Sequence, residues 1–436
     1  MKKYSKFKNT NIEWIGEIPE HWDIIRFKYI VSSQKGKVPK KLTDKNVSNS
    51  PVYLSMSYLR GNPDEKKFVL ESKDCVHVKT GDILLLWDGS EAGEFIKGKE
   101  GVLSSTMSKL DIDDDLNQSY IWYFLKTFEK ILKDFTNGMG IPHVDSSILE
   151  NSKIILPPLS EQIQISSYLN NKTSLIDKLI NNNKKLIKLL EEKRTVLINK
   201  VITKGLDPNV KMKDSGIEWI GEIPEHWEVV KMKYIGDLYS GLSGKSAVDF
   251  NQPDNPNNKP YIPFSNILNN EKINPRFLDY VVINKDDNQN IVKKGDLFFL
   301  MSSENYDDVG KSSVLETELG ETYLNSFCKG FRLSNKSVKP SFLNWLLLSY
   351  PNRCRLMIEA NGFTRINLKQ DKIKEYYVYT PPLSEQIQIS SYLDNKTSLI
   401  DKVIKKTREE NEILNEYRQC LISKVVTGKV DVSDSN

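Results

Sequence analysis

Two glycine-bearing loops hold the residues best suited to recognition chemistry: Asn137-Gly138-Met139-Gly140-Ile141-Pro142-His143 and Asn361-Gly362-Phe363-Thr364-Arg365-Ile366-Asn367. Glycine lets a backbone come close to a ligand, and Asn, His and Arg present the donors and acceptors that match nucleic-acid base edges. Further candidates precede each loop. They are Lys35, Lys37, Lys40, Lys41, Arg60 and Ser90 in the first half, and Lys245, Asn266, Arg276 and Ser302 in the second. Lysines and hydroxyls suit a phosphate backbone; amides and arginine suit bases. Each of these residue types, taken singly, is more often a solvated surface group. The argument therefore rests on the two loops, which occupy corresponding places in two similar halves.

Catalytic chemistry finds less support. Gly241-Leu242-Ser243-Gly244-Lys245-Ser246 ends like a phosphate-binding loop but lacks the four-residue gap before its Gly-Lys-Ser, so it reads as a turn. Pro63-Asp64 followed by Glu71-Ser72-Lys73 is too compressed for a nuclease constellation and reads as a charged turn. No Asn-Pro-Pro-Tyr or Asp-Pro-Pro-Tyr adenine-methylation motif is present, since the Pro-Pro pairs follow Leu156 and Thr380. The cysteines Cys75, Cys328, Cys354 and Cys420 are scattered without a CxxC pair, as expected of reduced thiols rather than of a metal site or disulfide frame. The expectation is a chain with no catalytic residue, metal or cofactor of its own.

The elements that position the loops are duplicated. Pro157 to Leu169, Pro-Pro-Leu-Ser-Glu-Gln-Ile-Gln-Ile-Ser-Ser-Tyr-Leu, recurs unchanged as Pro381 to Leu393, and the match continues to Lys178 and Lys402 with one change, Asn170 to Asp394. Ile12-Glu13-Trp14-Ile15-Gly16-Glu17-Ile18-Pro19-Glu20-His21-Trp22 likewise recurs as Ile217 to Trp227. The first pair of motifs is offset by 205 residues and the second by 224, so the interior of the second copy is longer. Each copy reads as an entry segment, a divergent middle and a long helix. The repeated tryptophans read as core packing at a domain edge, with ligand contact as the alternative. Residues 24–30 and 229–235 read as strands, as do 52–57, 83–87, 261–264 and 297–301; 118–133 and 340–348 read as helices. The fold class expected is α+β, with two pseudo-symmetric mixed α/β domains joined by two long helices.

Those helices carry a heptad. In the first, Leu169, Ile176, Asn183, Leu190 and Leu197 fall at steps of seven, with Ile180 and Ile187 filling the seam. Leu393, Ile400, Thr407, Leu414 and Leu421, with Ile404, repeat it in the second. A polar residue interrupts each seam at the same step, where polar groups fix register and pairing. Some 44 residues of helix make a rod of about 66 Å, and one amphipathic rod cannot hide its own seam. Each helix is expected to pair with the other, antiparallel by the two-fold likeness of the copies. The alternative is that each packs on its own domain, and the sequence leaves open whether pairing is within one chain or between two. Two unlike heads on a stiff spacer suit the reading of two short, different DNA sites at a set separation.

Bulk properties are compatible with that. The chain has 436 residues, too many for one ordinary core, and a net charge of +4, so any basic DNA surface must be local. Residues 160–205 hold nine Lys/Arg against four Asp/Glu, and 384–430 eight against seven. The basic start, Met1-Lys2-Lys3, is followed by no apolar segment of a signal peptide, and no run is long enough to span a membrane; the expected location is cytoplasmic.

The duplicated Pro-Pro-Leu-Ser-Glu-Gln helix starts, the Ile-Pro-Glu-His-Trp entry segments, the Gly81-Asp82 and Gly295-Asp296 strand starts and the ending Val426-Thr427-Gly428-Lys429-Val430-Asp431 together resemble the specificity subunit of type I restriction-modification enzymes. The resemblance covers nearly the whole chain. It implies two target-recognition domains that each read half of a split DNA site in the major groove, with the paired helices setting the nonspecific spacer. It also implies two methyltransferase subunits docked on the helices and restriction (translocase) subunits for cleavage. S-adenosylmethionine, ATP and Mg would then belong to the partners. On this reading residues 1–156 and 207–380 are the recognition domains, 157–206 and 381–430 the long helices, and 431–436 a tail. The rival readings are a coiled-coil adaptor that binds proteins rather than DNA, and a self-contained nuclease or methyltransferase.

Overall fold

The computed structural model describes residues 3–47, 50–136, 142–250, 252 and 254–433. It divides into two compact units: Met1–Asn183 with Arg408–Asn436, and Lys184–Thr407. Each unit takes one globular domain, the leading part of that domain's own long helix and the trailing part of the other one.

In the first unit a four-stranded antiparallel sheet runs in the order Phe95–Lys97, Ile83–Leu86, Met107–Ile112, Val31–Lys35. The second unit repeats it, in the matching order, as Ser312–Val314, Leu297–Leu300, Cys328–Leu333, Gly236–Ser240. The central strands Ile83–Leu86 and Leu297–Leu300 are buried at every residue, which is why they read as continuous apolar runs rather than alternating ones. A second, mixed sheet accompanies each, with the parallel pairs Val52–Leu54 on Gly101–Leu103 and Asn258–Ile262 on Tyr323–Leu324. The helices Gln118–Asp134 and Pro340–Leu348 pack their aromatic faces into the two main cores.

Several expected strands are shorter than their apolar runs. Residues 24–30 divide into the strand Asp23–Arg26 and a 3-10 turn, Phe27–Tyr29, and 229–235 divide likewise at Lys231. Phe27 and Met232 turn inward there, so the backbone leaves the ladder to bury them. Residues 52–57 form a strand only to Leu54, because Ser55 caps a helical turn by accepting from the Tyr58 backbone N–H. The short strand Asp23–Arg26 pairs with Lys153–Leu156, which leads directly into the long helix; Glu228–Lys231 pairs with Tyr377–Thr380 in the same way. Start and end of each globule are thus stitched together.

The duplicated motifs meet at this stitch. Glu161 accepts a hydrogen bond from Trp22 Nε1 at 3.0 Å, and His21 Nε2 lies 2.6 Å from its other oxygen. Glu385 holds Trp227 Nε1 at 3.2 Å and His226 Nε2 at 2.7 Å. The next residue clamps a third element: Gln162 Oε1 accepts from the Asn117 backbone N–H at 3.0 Å and Gln386 Oε1 from that of Lys339 at 2.7 Å, each at the cap of the middle helix. Trp22 and Trp227 are fully buried, so packing, not ligand contact, accounts for them.

The long helices span Leu159–Lys204 and Leu383–Val426. Within the first unit, Leu169, Ile176 and Ile180 share a core with Leu421, Ile422 and Val425. Asn183 Nδ2 donates to Asn411 Oδ1 at 3.1 Å, and Asp177 pairs with Arg418 at 3.0 Å. In the second unit Ile198, Val201 and Ile202 share a core with Ile389 and Leu393, and Arg194 pairs with Asp401 at 3.0 Å. Residue numbers rise on one helix as they fall on the other, so both pairings are antiparallel and lie within one chain. Ile404 is buried, while Ile187, Leu190, Leu197, Ile400 and Leu414 are half-buried. The polar interruptions differ in use: Asn183 bonds across the seam, whereas Thr407 donates to its own helix at the Val403 carbonyl.

Candidate nucleic-acid interface

The second unit gathers five of the candidate residues at one place. Ser302–Ser303 pairs antiparallel with Ile366–Asn367, setting Ser302 opposite Asn367. Asn361 and Asn367 exchange backbone hydrogen bonds of 2.9 Å, closing the loop between them. Gly362 sits inside that turn at φ +154°, where a Cβ would lie 2.0 Å from the Arg365 carbonyl oxygen; only glycine fits. Arg365 Nε donates to Ser302 Oγ at 2.7 Å, and its guanidinium lies 4.2 Å from the centre of the Phe327 ring. The Asn367 amide donates to the Arg365 carbonyl at 2.9 Å.

Ser302, Phe327, Arg365 and Asn367 rim an open cavity of about 540 Å³ whose lining also includes Ser240, Ser243, Lys329 and Gln370. Lys329 Nζ donates to Ser240 Oγ at 3.0 Å. Cys328 lies at its floor, and burial holds the thiol well above its ordinary range, so it is an inert packing group. Phe363, fully exposed, and the half-exposed Phe327 and Tyr306 put aromatic faces beside the polar rim.

The first unit builds the corresponding mouth from other side chains. Asp88 bridges to His143 as Ser302 does to Asn367, and Gly89 N–H donates to the Pro142 carbonyl at 2.9 Å. Lys35 pairs with Asp88 at 3.0 Å and lies 5.9 Å from the Trp87 ring centre. Lys37, Lys40, Lys41 and Ser90 are exposed. Asn137 and Gly138 lie outside the described residues. Arg60 stands apart from this mouth in its bonding, its guanidinium paired with Glu94.

Three candidates of the second unit need correction or relocation. Asn266 is fully buried: its amide donates to the carbonyls of Asn274 and Phe277, at 2.9 and 2.6 Å, and its oxygen accepts from the Asn274 N–H. That side chain holds a loop together and cannot reach a base. Lys245 is also withdrawn, with 4% of its side chain exposed and its ammonium on Asp287. Arg276 is exposed on the loop that Asn266 braces.

Sequence reasoning passed over Trp87, Asp88, Ser240, Phe327, Lys329 and Gln370. A signal for one of them, Ser240, existed. Gly36 and Gly241 follow Lys35 and Ser240 at matching strand ends, and a Cβ at either would lie 2.1 Å from a backbone oxygen, of Ser104 or Asn325. Paired glycines of that kind mark the point where strand becomes rim.

A protein-family model described as the type I restriction modification DNA specificity domain matches this chain twice, at residues 19–192 and 224–414. The chain is 33% identical to the MjaVIII type I restriction enzyme specificity subunit of Methanocaldococcus jannaschii, over 96% of this chain and 95% of that one. It is 24% identical to the EcoKI specificity subunit of Escherichia coli over 48% of its length and 44% of the relative's. Among solved structures, a chain from a type I R-M system studied for complex assembly and conformational transition superposes with a TM-score of 0.69 at 14% identity, covering 95% of this chain and 99% of that one. The HsdS subunit of Thermoanaerobacter tengcongensis gives 0.51 at 15% identity, covering 95% and 98%. These two structures are alike in fold. With the domain model matched on both copies, and a curated relative alike from end to end, this chain belongs to the type I restriction-modification DNA specificity subunit family.

Proposed function

We propose that this chain is the DNA sequence-recognition subunit of a type I restriction-modification complex, that each globular domain reads one half of a bipartite site, and that the two halves differ. The observation that carries this is the contrast between a joint repeated residue for residue and two mouths that share a backbone frame but not side chains. One frame with two different reading surfaces is what a split, asymmetric target requires. The domain boundaries near 156, 206, 380 and 430 belong to the same proposal, as does the role of the paired helices in setting the spacer.

The partners would be two methyltransferase subunits docked along the long helices, with restriction subunits added for cleavage. Methyl transfer with S-adenosylmethionine, and ATP- and Mg-dependent cleavage, would reside in them, in the cytoplasm. Exposed apolar residues support docking: Leu159, Ile163, Leu175, Leu179 and Leu189 on the first helix recur as Leu383, Ile387, Leu399, Val403 and Ile413 on the second. Solvent-facing apolar side chains at matched positions suit the same partner bound twice. Among the described residues no helix is long and apolar enough to cross a membrane.

Methylome sequencing of a host expressing the chain with its methyltransferase partner tests the reading. A single motif of two unlike halves separated by a constant gap is expected. Footprints absent from DNA, with the methyltransferase bound, would favour the adaptor; activity of the chain alone would favour a self-contained enzyme.

A further inference from the structure

We propose that Arg365 reads a guanine, through its N7 and O6 acceptors, in the half-site taken by the second unit; this rests on the DNA-reading function above and deepens it. Most well-placed arginines of this unit are already consumed by carboxylates: Arg194 by Glu271 and Asp401, Arg332 by Asp296, Arg355 by Glu359. Arg365 is held differently. A hydroxyl, Ser302 Oγ at 2.7 Å, takes its Nε, and an aromatic face, Phe327 at 4.2 Å, supports its plane. No carboxylate lines the adjoining cavity among the described residues.

The consequence is a cation fixed in orientation with its terminal nitrogens left over. Ser302 is buried and locked opposite Asn367, so the anchor is rigid. With Nε engaged, the two terminal NH2 groups remain as a parallel pair of donors on an exposed side chain. In the major groove guanine alone offers two adjacent acceptors; adenine alternates acceptor and donor, thymine offers one acceptor, and cytosine a donor. Preordering by Ser302 and Phe327 lowers the rotamer entropy lost on contact.

The first unit lacks the set. Asp88 takes the place of Ser302 in the strand pairing, and Thr106, the residue immediately before the equivalent strand, stands where Phe327 does. Guanine reading through this device therefore belongs to one half-site only.

The test uses the full chain with its methyltransferase partner and duplexes that carry the site found by methylome sequencing. Each guanine of the second half-site is replaced in turn by 7-deazaguanine, which removes N7. Wild type should lose about tenfold or more in binding at one position. An Arg365→Ala complex should bind normal and deaza duplexes equally there, and methylate sites with any base at that position while keeping the first half-site intact. Arg365→Lys, which keeps charge without the fork, should lose the same discrimination, and Ser302→Ala should relax it less. Undiminished sensitivity to 7-deazaguanine in Arg365→Ala overturns the assignment. So does a loss of binding that is uniform across sequences, which marks a phosphate contact. Absence of any bipartite motif in wild type would instead sink DNA reading itself.

Discussion

The joint and the mouth of each unit make opposite use of the duplication. At the joint, Trp22, His21 and Glu161 superimpose in role on Trp227, His226 and Glu385, with matching bonds within 0.2 Å of each other. At the mouth, one unit has Lys35 on Asp88 where the other has Arg365 on Ser302. The joint must hold three elements whatever is being read, so any departure costs stability. The exposed side chains of the mouth carry no comparable packing duty, so they are free to diverge.

The comparison can be broken hardest at its shared part. Trp227→Ala empties a fully buried site and should cost the second unit ~3–5 kcal/mol, and Trp22→Ala should do the same in the first. Two separated calorimetric transitions, each shifted by its own variant, would check this. A milder cut is Glu385→Gln or Glu161→Gln, which removes the charge from a carboxylate that is about one-fifth exposed. A loss of ~1–2 kcal/mol, alike in both, is expected from denaturant midpoints.

The one substitution within the repeated stretch 157–178 sharpens the contrast next. Asn170 accepts from Tyr123 Oη at 2.9 Å in the first unit, whereas Asp394 accepts from Trp345 Nε1 at 3.0 Å and pairs with Lys272 at 2.8 Å in the second. Asp394→Asn should therefore weaken the second unit by about 1 kcal/mol or less, since the pair is a third exposed. Asn170→Asp should give the first unit no matching gain. Equal effects in the two units would contradict that.

The smallest effect is a pH dependence confined to one unit. Glu375 accepts from Lys231 and Lys233, and these bonds pull its carboxyl down to about 2; the first unit has Asn151 at the equivalent place. A carboxyl more acidic in the folded chain stabilises it above the unfolded value near 4.5, and that contribution fades as pH falls toward 2. Glu375→Gln should lower the second unit's melting temperature slightly at neutral pH, flatten its fall across this window, and leave no difference from wild type near pH 2.

Much of this architecture was legible in the residues because repetition is a strong signal. The long helices, their seam and their ends follow from heptad spacing and from glycine after Lys204 and Thr427. The strand ends were less legible, since Phe27 and Met232 continue an apolar run while leaving the ladder. For the site, the loop around Arg365 stood out by its glycine, but Asn266 could not be told from a reading amide. A buried asparagine bracing a loop and an exposed one look alike until its partners, here Asn274 and Phe277, are known.

The glycines that end the long helices have one more consequence. A Cβ on Gly205 would crowd Glu385 and Trp227, and one on Gly428 would strike Pro19 and Trp22, so each helix finishes against the joint of the opposite copy. A helix begun at one such joint and stopped at the other has no loose turn to fray or shed. One residue inserted into either helix would turn its terminal glycine by about 100° away from the tryptophan it abuts, so the joint at each end also acts as a gauge of helix length.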